Sequence, residues 1–144
     1  MVKERITSTA EETIALGREI AAELKVPVLV LLYGELGSGK TTLAKGIVSG
    51  LGAAEEDEVT SPTFTLVHVY GKGAKVHHAD LYRIESAADF ESLGMEDIFA
   101  EPGVVILEWP ERVPVPGDWP RVRIRLEHLG GERRRIRVMA GDDE

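Results

Sequence analysis

Eight consecutive residues, Gly34-Glu35-Leu36-Gly37-Ser38-Gly39-Lys40-Thr41, constrain this chain more than any other segment, because they satisfy G-x-x-x-x-G-K-[ST] in full. Before them runs Val28-Leu29-Val30-Leu31-Leu32-Tyr33, apolar without polar alternation, the pattern of a strand buried on both faces. After them, Thr41 to Leu51 reads as a helix that Gly50 and Gly52 end. A strand, a glycine-rich loop and a helix in that order point curled backbone amides and a helix N-terminus at one place, which is a cradle for phosphate oxygens. Lys40 then reaches the β- and γ-phosphates of a nucleotide, and the Thr41 hydroxyl is offered to Mg²⁺. Gly37, Ser38, Gly39, Lys40, Thr41 and Thr42 form the candidate nucleotide-binding set. An ordinary turn would not require Lys and Thr directly after its last glycine.

Composition bounds the rest. A chain of 144 residues, 43% hydrophobic and 29% charged, is expected to form one domain over 1–144, with 139–144 a frayed acidic end. With no cysteine, thiol nucleophiles, zinc-cysteine sites and iron-sulfur clusters are excluded. The apolar run Val26 to Tyr33 is far short of the ~20 residues that span a bilayer, and Met1 to Arg5 carries no apolar signal core, so a soluble cytoplasmic protein without membrane contact is expected. The net charge of −8 hides a segregation: residues 1–118 hold 10 Lys+Arg against 20 Asp+Glu, whereas 119–140 hold seven Arg against Glu127 and Glu132.

The remaining elements follow from pattern. Thr9-Ala10-Glu11-Glu12 has the form of a capping box and should open a helix that Pro27 stops. Phe64 to Tyr70 and Ala74 to Ala79, around Gly71-Lys72-Gly73, read as a hairpin, with short helical segments at Ala87–Leu93 and Met95–Phe99 after it. Gly103 to Leu107 is a second fully apolar strand. Arg121 to Leu126 and Arg133 to Val138 alternate with period two and are joined by Gly130-Gly131, a terminal hairpin with one apolar face and one arginine face. The order of elements predicts an α/β, three-layer P-loop NTPase-like fold with a mixed parallel and antiparallel central sheet and a C-terminal β-hairpin.

Hydrolysis needs carboxylates as well as a phosphate cradle. Glu108 ends the apolar strand and is the first choice to hold Mg²⁺ with Thr41; its successors Trp109-Pro110 bar an immediate helix. Asp80 also ends a strand, where it could orient the attacking water or act as a helix cap. In Thr60-Ser61-Pro62-Thr63-Phe64-Thr65, Thr63 is the best-placed hydroxyl for the γ-phosphate, with an ordinary Ser/Thr turn as the alternative. His77 and His78 are adjacent strand residues facing opposite sides, so packing or surface roles are expected for them.

Taken together, Gly34 to Thr42, Ser61-Pro62-Thr63-Phe64-Thr65-Leu66-Val67, His78-Ala79-Asp80-Leu81-Tyr82-Arg83, Leu93-Gly94-Met95-Glu96-Asp97 and Glu108-Trp109-Pro110-Glu111 resemble the TsaE family over most of the chain. The resemblance implies an ATPase that binds Mg-ATP and serves two partner proteins, which transfer a threonylcarbamoyl group to adenosine 37 of tRNA; ATP hydrolysis resets or activates that complex. It implies phosphate and metal roles for Lys40 and Thr41, a second metal contact from Glu108, and hydrolytic roles for Thr63 and Asp80. It further places Trp109, Thr9 and Arg133 near the nucleotide, the last ambiguous within Arg133-Arg134-Arg135. Arg83 is the one candidate for an arginine finger, which fits weak hydrolysis by the chain alone, stimulated by its partners. The hairpin arginines lack interleaved aromatics for base stacking, so tRNA is expected to be acted on only through the complex. A small-molecule P-loop kinase, or a nucleotide-state switch with negligible turnover, remains the alternative.

Overall fold

The computed structural model describes residues 2–55, 58–59, 67–71, 75–115 and 118–140. Strands β1 (Val2–Thr7), β2 (Val28–Tyr33), β3 (Val67–Tyr70), β4 (Val76–Asp80), β5 (Val104–Glu108), β6 (Arg121–Gly130) and β7 (Arg133–Ala140) form one sheet in the order β1-β7-β6-β2-β5-β4-β3. β2 runs parallel to β5 and β6, and β4 parallel to β5, whereas the β1–β7, β6–β7 and β3–β4 pairs are antiparallel. The α/β class and the mixed sheet are as the element order predicts. No helix among the described residues is long and apolar enough to cross a membrane.

The two apolar runs are the centre of the sheet. β5 is buried throughout and β2 through Leu32, so each must be covered on both faces. On one face, helices α1 (Ala10–Glu23) and α2 (Lys40–Gly50) cover Val28, Val30, Leu32, Val104 and Ile106 with Leu16, Ile20, Leu43 and Ile47. On the other, short helices α3 (Ala87–Glu91) and α4 (Met95–Ile98) and their flanking turns cover Leu29, Leu31, Val105 and Leu107 with Leu81, Ile84 and Met95. α1 and α2 meet backbone to backbone at two glycines: a Cβ on Gly46 would lie 2.1 Å from the Ile14 carbonyl oxygen, and one on Gly17 2.6 Å from that of Leu43. This close approach seats α2, and with it the glycine loop, firmly on the sheet.

Two expectations need correction. No strand was expected before Thr9, yet β1 pairs with β7 along its whole length. It is an edge strand with Ile6 half exposed, so it has no apolar face to advertise; its ladder to β7 holds it, flanked by exposed charge pairs of Glu4 with Arg137 at 3.0 Å and Lys3 with Glu23 at 2.9 Å. Of the expected frayed end 139–144, Met139 and Ala140 instead belong to β7, Met139 pairing with Val2 and Arg123, and 141–144 lie outside the described residues. Of the predicted first hairpin, Phe64 to Leu66 and Lys72 to Ala74 lie outside the described residues; Val67 to Tyr70 pair antiparallel with Val76 to Ala79 as expected.

Candidate nucleotide site

The loop Gly34 to Gly39 leaves the C-terminal end of β2 and enters α2 through Gly39, whose φ of 102° and ψ of 15° belong to the left-handed region. A side chain at position 39 would be strained there and would also meet Arg134 Nε at 3.2 Å. The parallel register of β4, β5 and β2 brings three further residues to the same end of the sheet: Asp80 and Glu108 are paired across β4 and β5, and Leu32 pairs with Glu108 from the other side. The result is a cavity of about 560 Å³. Its floor is Gly37 to Thr42, and its walls are Asp80, Tyr82, Arg83, Glu108, Trp109 and Arg134. A neighbouring cavity of about 650 Å³ holds Tyr33, Arg125, Glu127, Arg135 and Arg137. There Arg135 is paired with Glu127, Arg137 with Glu4, and Arg125 lies 4.8 Å over the Tyr33 ring, so its charges largely satisfy one another.

Lys40 is 5% exposed. Its ammonium donates to the Gly34 carbonyl at 2.5 Å and sits 3.6 Å from the centroid of the Trp109 ring. Burial lowers its pKa from the ordinary 10.5, against the opposing pull of Glu108, Asp80, Glu111 and Glu35. Trp109 is the one non-glycine residue with positive φ among the described residues, at 60°, and its ring packs against Tyr82 at 4.9 Å. It turns the chain from β5 into the 3-10 turn Pro110–Arg112, so a single tight turn, not an α-helix, follows Glu108.

Glu108 is 3% exposed. Its Oε2 accepts from Thr41 Oγ1 at 3.3 Å and lies 2.6 Å from His78 Nε2. Thr41 and Glu108 are thus brought together as the spacing argument requires, two oxygen donors beside the ammonium of Lys40. Among the described residues no group of three or more His, Cys, Asp or Glu converges to hold an ion. One hydroxyl and one carboxylate next to a phosphate cradle suit Mg²⁺, which is commonly held by one or two carboxylates together with substrate phosphates. Asp80 stands on the cavity wall and accepts the Tyr82 N–H at 3.0 Å in an Asx-type turn; no helix starts there, the next one being capped by Ser86, so Asp80 is not a helix cap.

The other residues fall out as follows. Thr63 lies outside the described residues. Thr9 is the N-cap of α1, its hydroxyl accepting from Glu12 N–H at 3.1 Å, and it is not part of the cavity wall. Among the hairpin arginines it is Arg134, not Arg133, that borders the loop, donating to Gly37 O at 3.2 Å. Along β7 Arg134 alternates onto the same face as Ile136 and Val138, the face packed with α1 and α2, whereas Arg133 and Arg135 take the other face. His78 was expected to pack or face the surface; it is fully buried, as packing requires, but its ring is also bonded to the candidate metal carboxylate. The signal that could have found it is the His-x-Asp spacing on one strand, which puts His78 and Asp80 on the same face of β4, next to Glu108.

A central parallel β-strand running through a glycine loop into a helix, with lysine, threonine and a strand-end carboxylate converging on it, defines a protein of P-loop NTPase-like fold. Sequence comparison carries the assignment to a family: the profile described as "Threonylcarbamoyl adenosine biosynthesis protein TsaE" matches residues 7–136. A protein of Treponema pallidum named tRNA threonylcarbamoyladenosine biosynthesis protein TsaE is 37% identical over 133 residues, covering 92% of this chain and 97% of its own. The Aquifex aeolicus protein of the same name is 36% identical over 140 residues and 96% of each chain. The crystal structure of Bacillus subtilis YdiB superposes with a TM-score of 0.71 at 29% identity, covering 98% of this chain and 86% of that one. This chain belongs to the TsaE family.

Proposed function

We propose that the protein is the Mg-ATP-hydrolysing subunit of tRNA threonylcarbamoyladenosine biosynthesis, and that hydrolysis resets or activates a partner complex that modifies position 37 of tRNA. The observation that carries the reading is the meeting of Thr41 Oγ1 and Glu108 Oε2 at 3.3 Å beside Lys40, at the mouth of the glycine loop. Thr41 and Glu108 would hold Mg²⁺, which when bound neutralises charge on the transferred phosphoryl group. Lys40 exchanges the Gly34 carbonyl and the Trp109 face for phosphate oxygens, and the loop amides bind the same phosphates. Asp80, beside Glu108 on the adjacent strand, accepts a hydrogen bond from the attacking water and orients it; Thr63 is proposed to add a hydroxyl to this hydrolytic set. Arg134 already donates to the carbonyls of Gly131, Arg133 and Gly37, which ties it to the loop in its resting form and supports the idea that full transition-state charge stabilisation comes from the partners.

The reading is tested by measuring phosphate release from the protein alone and then with two partner proteins and tRNA. Stimulation by the partners, lost in Lys40→Ala, is expected; equal rates with and without partners would sink the proposal, and phosphate transfer to a metabolite would replace it with a kinase.

A further inference from the structure

We infer that His78 is a positioning residue for the metal site, holding the Glu108 carboxylate in the rotamer that faces Thr41. The inference rests on the reading of Glu108 as a metal contact. An ionised carboxylate can only accept, so at 2.6 Å His78 Nε2 is the donor, a short, charge-assisted contact. The second donor to Glu108, Thr41 Oγ1, is at 3.3 Å, beyond the usual range for a hydroxyl donor. Both bonds end on Oε2, so the stronger one decides where the carboxylate points.

His78 is itself enclosed. It is 0% exposed, and its strand is clamped between β3 and β5, with His68 and Ile106 as its register neighbours. Among the described residues its Nδ1 has no partner, so the one polar interaction of a wholly buried imidazole is the bond to Glu108. A residue present only to fill the core at this point would be better apolar, since burying a polar ring with an orphaned nitrogen carries a desolvation cost. A buried donor that fixes a ligating carboxylate typically alters metal affinity by about 10- to 100-fold when removed.

The test uses the full chain and ADP as probe, with calorimetric titration in EDTA and across a Mg²⁺ series. His78→Gln places an amide nitrogen at a reach similar to that of His Nε2; His78→Asn falls a bond short, and His78→Leu removes the donor. Expected are unchanged ADP affinity without metal in all three, a Mg²⁺ midpoint near wild type in His78→Gln, and midpoints raised by about 10- to 100-fold in His78→Asn and His78→Leu. If His78→Leu fails to fold, the Gln and Asn pair decides alone. Equal Mg²⁺ midpoints in Gln and Asn variants, whether both retained or both lost, would overturn the inference. A wild-type protein whose ADP affinity ignores Mg²⁺ is a different failure, that of the metal reading itself.

Discussion

A buried lysine ammonium lodged between a carbonyl oxygen and an indole face is a cation kept ready without being solvated. Desolvation is the larger influence on it, so four surrounding carboxylates reduce the downward shift of its pKa without cancelling it. On β4 a second group is shifted the same way, with no opposing charge. His77, next to His78 but facing the opposite side of the sheet, has its pKa lowered from 6.5 by burial and then by Lys75. Between that lowered value and 6.5 the unfolded chain binds more protons than the folded one, so folding stability falls as pH drops through this window. The penalty is complete below the folded-state value and absent well above 6.5. Urea unfolding at pH 5 and pH 7 should therefore show a smaller acid loss in His77→Gln than in wild type; identical losses would show that His77 is not a contributor.

At the level of elements, α1 and α2 are joined by an approach that only glycine permits. Alanine in a helix is normally favoured over glycine by about 1 kcal/mol. At Gly46 the new Cβ would stand 2.1 Å from a backbone oxygen that cannot swing aside, and overpacking of this kind costs about 1–3 kcal/mol. The clash wins, so Gly46→Ala is expected to lower the denaturation midpoint with an unchanged m-value, and a stabilised variant would contradict the packing. These contacts also show what a sequence can and cannot say. β2, β5 and the loop Gly34 to Gly39 were legible because their signals are local: continuous apolarity, and glycines at fixed offsets from Lys40 and Thr41. β1 was not, because the edge strand with Lys3-Glu4-Arg5 finds its partners 20 to 133 residues away in sequence, at Glu23 and Arg137. Arg134 was not separated from Arg133 because the choice among three adjacent arginines came from a resemblance, although period-two alternation already puts Arg134 on the face of Ile136 and Val138. His78 was seen only as one of a pair of histidines, since its meaning depends on a carboxylate 30 residues away.

Across the whole molecule the arginines of the last two strands are mostly engaged within the chain. Arg135 meets Glu127, Arg137 meets Glu4, Arg121 donates to the carbonyls of Trp119 and Val115, and Arg134 holds the glycine loop. Exposed pairs of this sort are worth only about 0–1 kcal/mol and could be exchanged for phosphates, but a net charge of −8 repels a polyanion as a whole. The chain alone is therefore expected to bind tRNA no more tightly than roughly 10⁻⁴ to 10⁻⁶ M at physiological salt; fluorescence anisotropy with labelled tRNA giving nanomolar binding would reverse this. The antiparallel pairing of β1 with β7 has a practical corollary. Val2 lies opposite Met139, whereas β7 begins at Arg133, beside the glycine loop. At roughly 3.3 Å per residue, the eight-residue strand separates that loop from the paired strand ends by about 25 Å. A dye, a surface tether or a fused domain attached at either strand end would leave from one pole of the molecule, while the glycine loop and its cavity lie toward the other.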